Sequence, residues 1–176
     1  MKKLLLASLI FILAGCVTPP QTTQELREGI QGGARLTTMK EITVNRSFNS
    51  TYNSIKKNAD MCFNLTVTST TPGRYGPMTS ITTWRSSSRK TGKGTAEMVI
   101  QLDARATGEM PPGGYFSLLV DTESLSSKKT KVTIYGASIG WGDVFESIFA
   151  WAEGKKQECP KKPFGGLGSK FDYHNK

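Results

Sequence analysis

Three cysteines, Cys16, Cys62 and Cys159, are the side chains of this 176-residue chain best suited to covalent chemistry. A thiolate can attack an electrophile, ligate a metal or pair with a second sulfur. Neither Cys62 nor Cys159 stands in a Cys-x-x-Cys arrangement, and the single histidine, His174, sits close to the C-terminus. Metal ligation and histidine-based acid–base catalysis therefore lack partners held in place by packing. There is no GxSxG, HExxH, P-loop or acidic calcium loop. Asp103, Glu109, Asp121, Glu123 and Glu146 are scattered without the spacing of a carboxylate pair. Serines and lysines are numerous enough for a Ser–Lys dyad, but nothing marks any one of them. The expectation is a non-catalytic protein without metal or cofactor.

Binding chemistry has better candidates. Arg85, Arg89, Lys90 and Lys93 cluster around one expected hairpin turn, and Lys128, Lys129 and Lys131 flank another. Lys155, Lys156, Lys161 and Lys162 follow the last expected helix, within a formal net charge of +9. Such clusters attract phosphate- or carboxylate-bearing ligands. The alternative is that they decorate solvated hairpin ends and blunt sheet edges. Trp141 and Trp151 cannot share one narrow helical stripe with Phe145 and Phe149, which points to an exposed, partner-docking tryptophan. Gly73-Arg74-Tyr75-Gly76 with Trp84 reads either as an aromatic contact surface or as a turn tyrosine and a core tryptophan.

The N-terminus supplies the compartment. Lys2 and Lys3 precede an apolar run from Leu4 to Ala14, the anatomy of a secretory signal. This run of eleven residues, apolar but for Ser8, is too short to span a bilayer, which takes about 20. Leu13-Ala14-Gly15-Cys16 resembles the lipobox of bacterial lipoproteins at all four positions. That resemblance implies cleavage before Cys16, a diacylglycerol on its sulfur and acylation of the new amino terminus. Several acyl chains hold stably, each buried methylene contributing about 0.8 kcal/mol. Val17, standing where an aspartate would signal inner-membrane retention, implies an outer-membrane address in a Gram-negative cell. With Cys16 acylated, Cys62 and Cys159 remain as a pair, and an exported domain meets oxidising conditions, so a disulfide is expected between them. Loss of residues 1–15 takes the formal charge to +7 and leaves 161 residues. The same compartment argues against a nucleic-acid partner.

Residues 16–40, rich in Thr, Gln, Gly and Pro, read as a lipidated tether with at most one helical turn over Gln24 to Ile30. Residues 41–160 read as one domain and 161–176 as a flexible basic tail. Within the domain, Ile42 and Val44 suggest a strand. Phe48, Tyr52, Ile55, Ala59 and Cys62 then share a helical face behind Ser47 as N-cap. Phe63, Leu65 and Val67 switch to period two. Thr71–Pro77 reads as a loop before a Thr- and Ser-rich strand over 78–87. Ala96, Met98, Ile100 and Leu102 form an apolar face, broken only by Val99 on the polar side. Tyr115–Thr122 and Thr130–Ala137 form another hairpin. Asp143–Glu158 reads as a helix capped by Asp143 and ended by Pro160.

The expected fold is therefore α+β: an antiparallel sheet of about five strands with two helices on one face, in the order β-α-β-β-β-β-α. That order resembles the helix-grip arrangement of small envelope domains, including a lipoprotein of the outer-membrane barrel assembly machine. The resemblance is one of element order and carries no functional residue with it. The function expected is a membrane-held accessory or scaffolding subunit for another envelope component, with anionic lipid or glycan binding through the basic loops as the alternative. Replacing Cys16 by alanine should abolish lipid labelling and release the protein from membranes. Membrane fractionation unchanged by that substitution would refute the anchor.

Overall fold

The computed structural model describes residues 19–34, 37–104, 112–137, 139–160, 164 and 169–174. The lipidation site expected at Cys16 lies outside them, as do Lys161 and Lys162. In chain order the elements are α1 (Thr23–Gln31), β1 (Thr38–Val44), α2 (Phe48–Cys62), β2 (Leu65–Gly73), β3 (Gly76–Gly92), β4 (Thr95–Ala104), β5 (Tyr115–Ser126), β6 (Lys129–Gly136), α3 (Gly142–Ala152) and β7 (Lys170–Tyr173). The seven strands form one sheet in the order β1-β6-β5-β4-β3-β2-β7, and every pairing is antiparallel. The class is α+β as expected, but with seven strands rather than about five and three helices rather than two.

Helices α2 and α3 cover one face. Helix α2 starts at Ser47, whose hydroxyl accepts from the Ser50 amide, and buries Phe48, Thr51, Ile55, Ala59 and Cys62. Of these, Ile55, Ala59 and Cys62 share a core with Leu65, Val67, Met98, Ile100, Leu118, Val120, Val132 and Ile134 from the sheet. Cys62 and Cys159 are joined, their Cα atoms 5.2 Å apart. Helix α3 stops at Ala152, short of the expected Glu158, because Gly154 adopts φ +82°. A Cβ there would be strained in that conformation and would also meet the Arg46 guanidinium at 2.9 Å. Arg46 donates to the Trp151 and Ala152 carbonyls at 3.2 and 2.8 Å, closing the helix end. Asp143 is not the cap expected of it. It lies in the first turn, and the N-cap position is Trp141, without a side-chain bond.

The opposite face is not left to solvent. Helix α1 lies across it, with Leu26 and Ile30 buried against Val99, Leu119 and Tyr135. The tether expected over 16–40 thus gives way to a docked helix and, from Thr38, to the first strand. Val99, placed by pattern on the polar side, is part of this second core. Within the tail expected over 161–176, the described residues are placed against the domain. Phe164 is buried among Phe63, Trp84 and Trp141, with ring centroids 5.5, 5.0 and 5.8 Å away. Strand β7 then pairs with β2 from Thr68 to Leu65.

The cross-link between Cys62 and Cys159 closes a sequence separation of 97. Reduction should lower unfolding stability by about 4–5 kcal/mol on a chain-entropy account. Denaturant midpoints with and without reductant measure this, and coincident curves would show that the bond contributes nothing.

Candidate interaction surfaces

The basic residues singled out by sequence separate into two groups once the strands pair. On β3, Arg85 faces Asp103 at 3.5 Å and Arg89 faces Glu97 at 2.8 Å. On β6, Lys131 meets Glu123 at 2.7 Å. Lys90 donates to the Asn49 side chain and sits over the Phe48 and Tyr52 rings at 5.7 and 5.6 Å. These four of the residues expected to form an anion-binding rim have partners within the fold. Lys93, Lys128 and Lys129 remain exposed without a carboxylate partner among the described residues. The antiparallel order places the β3–β4 and β5–β6 turns at the same end of the sheet. A bond from the Ser124 amide to the Gly94 carbonyl at 2.8 Å ties the two turns together. Three lysines from separate sequence clusters thereby become one cationic end.

At the other end the β2–β3 hairpin runs past the rest of the sheet. Pairing of β3 with β4 stops at Thr82, and pairing of β2 with β7 stops at Thr68, while β2 and β3 continue to Gly73 and Gly76. Among the described residues this leaves a two-stranded arm roughly 17 Å long, at about 3.4 Å per residue. The segment expected as a loop, Thr71–Pro77, is its tip. Tyr75 is 95 % exposed there, and Met78 and Ile81 are 68 % and 61 % exposed. Arg74 lies 5.9 Å from the Tyr75 ring. The tryptophans expected to dock a partner are instead interior. Trp141 is 3 % exposed and Trp151 is 0 %, the first stacked edge-on to Trp84 and the second against Phe63.

A third feature escaped sequence reasoning. Arg27, in the middle of α1, donates from Nε and Nη2 to the Asp121 carboxylate, both at 3.0 Å, and from Nη2 to Glu97 at 2.8 Å. The paired bonds to Asp121, with Glu97 adding to them, hold the guanidinium pKa above its ordinary value. Burial raises the Glu97 carboxyl, but bonds from Arg89 and Arg27 outweigh this and hold it below its ordinary 4.5. Thr22 caps the helix by accepting from the Glu25 amide at 3.1 Å, and Glu25 accepts from the Gln21 amide at 2.8 Å. Thr22-x-x-Glu25 is a capping-box spacing, the one signal in the sequence that announced α1.

Beside the start of α1 lies an open groove of about 440 Å³, lined by Gln21, Thr22, Arg89, Val99, Gln101 and Phe116 among others. Several of its polar groups are already committed. The Gln101 amide donates to the Pro112 and Gly114 carbonyls, and Arg89 holds Glu97. A small-molecule site needs convergent polar groups left for the ligand. Among the described residues, lysine ammonium groups that bond a side chain do so to Asp60, Glu123, Glu153 or the Asn49 amide, and none to a serine hydroxyl. His174 lies at the sheet edge, its backbone amide donating to Asn64 and its ring 3.0 Å from the Thr66 hydroxyl. Among the described residues no cluster of three His, Cys, Asp or Glu is placed to hold a metal, and no helix is long and apolar enough to cross a membrane.

Because the folded-state pKa of Glu97 is depressed, the folded protein binds fewer protons there than the unfolded chain does. Its contribution is complete above about pH 4.5 and drains away as pH falls through the folded value. Acidification should therefore loosen α1 before the disulfide-bound core, and Glu97→Gln should flatten that dependence. Hydrogen exchange at the Leu26 and Ile30 amides between neutral pH and pH 3, corrected for intrinsic rates, measures it; protection that rises on acidification would reverse the sign of the account.

Set against family models, curated proteins and solved structures, the chain matches none.

Proposed function

We propose that this chain is a lipid-anchored envelope lipoprotein of the outer membrane whose domain docks a second envelope component without turnover. The lipobox-like Leu13-Ala14-Gly15-Cys16 behind a charged, apolar leader supports export and anchoring. The observation that carries docking is the projecting hairpin. Its apolar side chains are largely exposed, and among the described residues neither strand has a further neighbour there. A two-stranded ribbon is marginal in water, and exposed Tyr, Met and Ile on one suit an interface that buries them. Tyrosine is also among the residues that dominate protein interfaces.

A second reading rests on the joined basic turns. Lys93, Lys128 and Lys129 at one end of the sheet suit an anionic headgroup or glycan, held by exposed-charge attraction that salt screens over about 8 Å at physiological ionic strength. Binding of anionic vesicles by the domain, lost on raising salt and on reversing these three charges, would favour it over the hairpin.

The leading reading is tested by placing a photoreactive amino acid at position 75 in cells, with position 57 on α2 as the control. Tyr75 should give a discrete adduct with an envelope component and Lys57 none. Combining Tyr75→Ala, Met78→Ser and Ile81→Ser should leave unfolding stability within about 1 kcal/mol, since all three are exposed, yet impair function in cells. Adducts that are absent, or the same at both positions, would overturn the assignment of the arm.

A further inference from the structure

We infer that helix α1 turns the lipid anchor into a short leash, so that the α1-bearing face of the sheet faces the bilayer and the α2–α3 face points away. The inference rests on the proposed acylation of Cys16 and concerns geometry that acylation alone does not set. Helix α1 is fixed to the sheet by Leu26 and Ile30 and by the bidentate Arg27–Asp121 pair. Free chain between the lipid and the domain therefore ends at the cap, Thr22, rather than near residue 40. Six residue steps separate Cys16 from Thr22, a reach of about 20 Å when fully extended. A tether running to residue 40 would have reached some 80 Å on the same arithmetic and left orientation free.

The body is thicker than the leash is long. Helix, sheet and helix layers about 10 Å apart make a stack roughly 30 Å deep. Thr22 lies in the α1 layer, beside Arg89 and Gln101 of the underlying strands. For the outer surface of α2 to touch the bilayer, the leash would have to pass around the edge of a seven-stranded sheet, a path longer than 20 Å allows. The exclusion comes from reach and needs no attraction. Charge does not draw this face to an anionic surface: Arg27, Arg85, Arg89 and Lys131 on it are each matched by a carboxylate, and Glu25 and Glu28 of α1 are exposed. With the sheet lying along the membrane, both the hairpin arm and the cationic end point sideways, toward neighbours on the same membrane surface.

The test uses the full acylated protein in liposomes carrying an energy-transfer acceptor on their headgroups. A donor dye is attached through Ser87→Cys on the α1 face or Lys57→Cys on α2, each being the free thiol when Cys16 is acylated and Cys62 is bonded to Cys159. Transfer should be several-fold more efficient from position 87 than from position 57. Insertion of a flexible segment of about 20 residues after Val17 should erase the difference. Equal transfer from both positions, or stronger transfer from 57, in protein shown by mass spectrometry to be acylated would overturn the orientation and leave the anchor standing. Mass spectrometry showing an unmodified Cys16 would bring down the anchor, and the orientation with it.

Discussion

Strands β4, β5 and β6 carry apolar side chains on both of their faces, and the architecture follows from that constraint. Leu118, Leu119 and Val120 are consecutive and fully buried. Successive side chains of a strand point to opposite faces, so a single layer of helices cannot cover all three. Leu118 and Val120 meet α2 and α3, whereas Leu119 joins Val99 and Tyr135 on the other side. Helix α1 supplies that second cover. At nine residues it is too short to persist as an isolated helix, so the helix and the patch beneath it exist through each other. Burying Leu26 and Ile30 contributes about 1.5–3 kcal/mol apiece. The Arg27 bonds fix where along the sheet the helix sits.

How far this was legible in the sequence depends on whether an element announces itself by period. Helix α2 repeats at 3–4 residues behind a serine cap, and β4 alternates, so both were read correctly. The sulfur pair followed from cysteine number and compartment. Helix α1 has only two buried apolar residues and lies between Pro19-Pro20 and Gly32-Gly33, which made the segment look like linker. Val99 was the visible anomaly, an apolar residue on a face taken to be polar. Alternation alone assigns that face to solvent, whereas α1 covers it.

The tryptophans failed for a different reason. Helix α3 buries Val144, Phe145, Ser147, Ile148, Trp151 and Ala152, more of its circumference than one sheet contact explains. A helix that is apolar most of the way round is covered on more than one side. The extra cover comes from chain beyond the helix, where Phe164 fills the space between Phe63, Trp84 and Trp141. A lone aromatic in a glycine-rich stretch has no period to betray it, and the segment read as tail. Trp141 and Trp151 then looked like surplus surface when they line the same interior.

Charge shows how pairing rewrites a linear pattern. Arg89 is opposite Glu97 in the register of β3 and β4, and Lys131 is opposite Glu123 in that of β5 and β6. Cations that look clustered along the chain are thus interleaved with acids across it, as cross-strand pairs favour. Lys93, Lys128 and Lys129 stand at or beside hairpin turns, where fewer cross-strand positions are available, and they keep their charge unmatched. An antiparallel meander brings alternate turns to one end, so the uncompensated charge gathers there while the sheet faces approach neutrality. Lys93, Lys128 and Lys129 thus place unmatched charge at one end of the sheet, apart from the α1-bearing face. On the proposed anchoring, two tasks would be physically separate: reach would set which face meets the membrane, and charge and the apolar arm would act at the sheet's two ends.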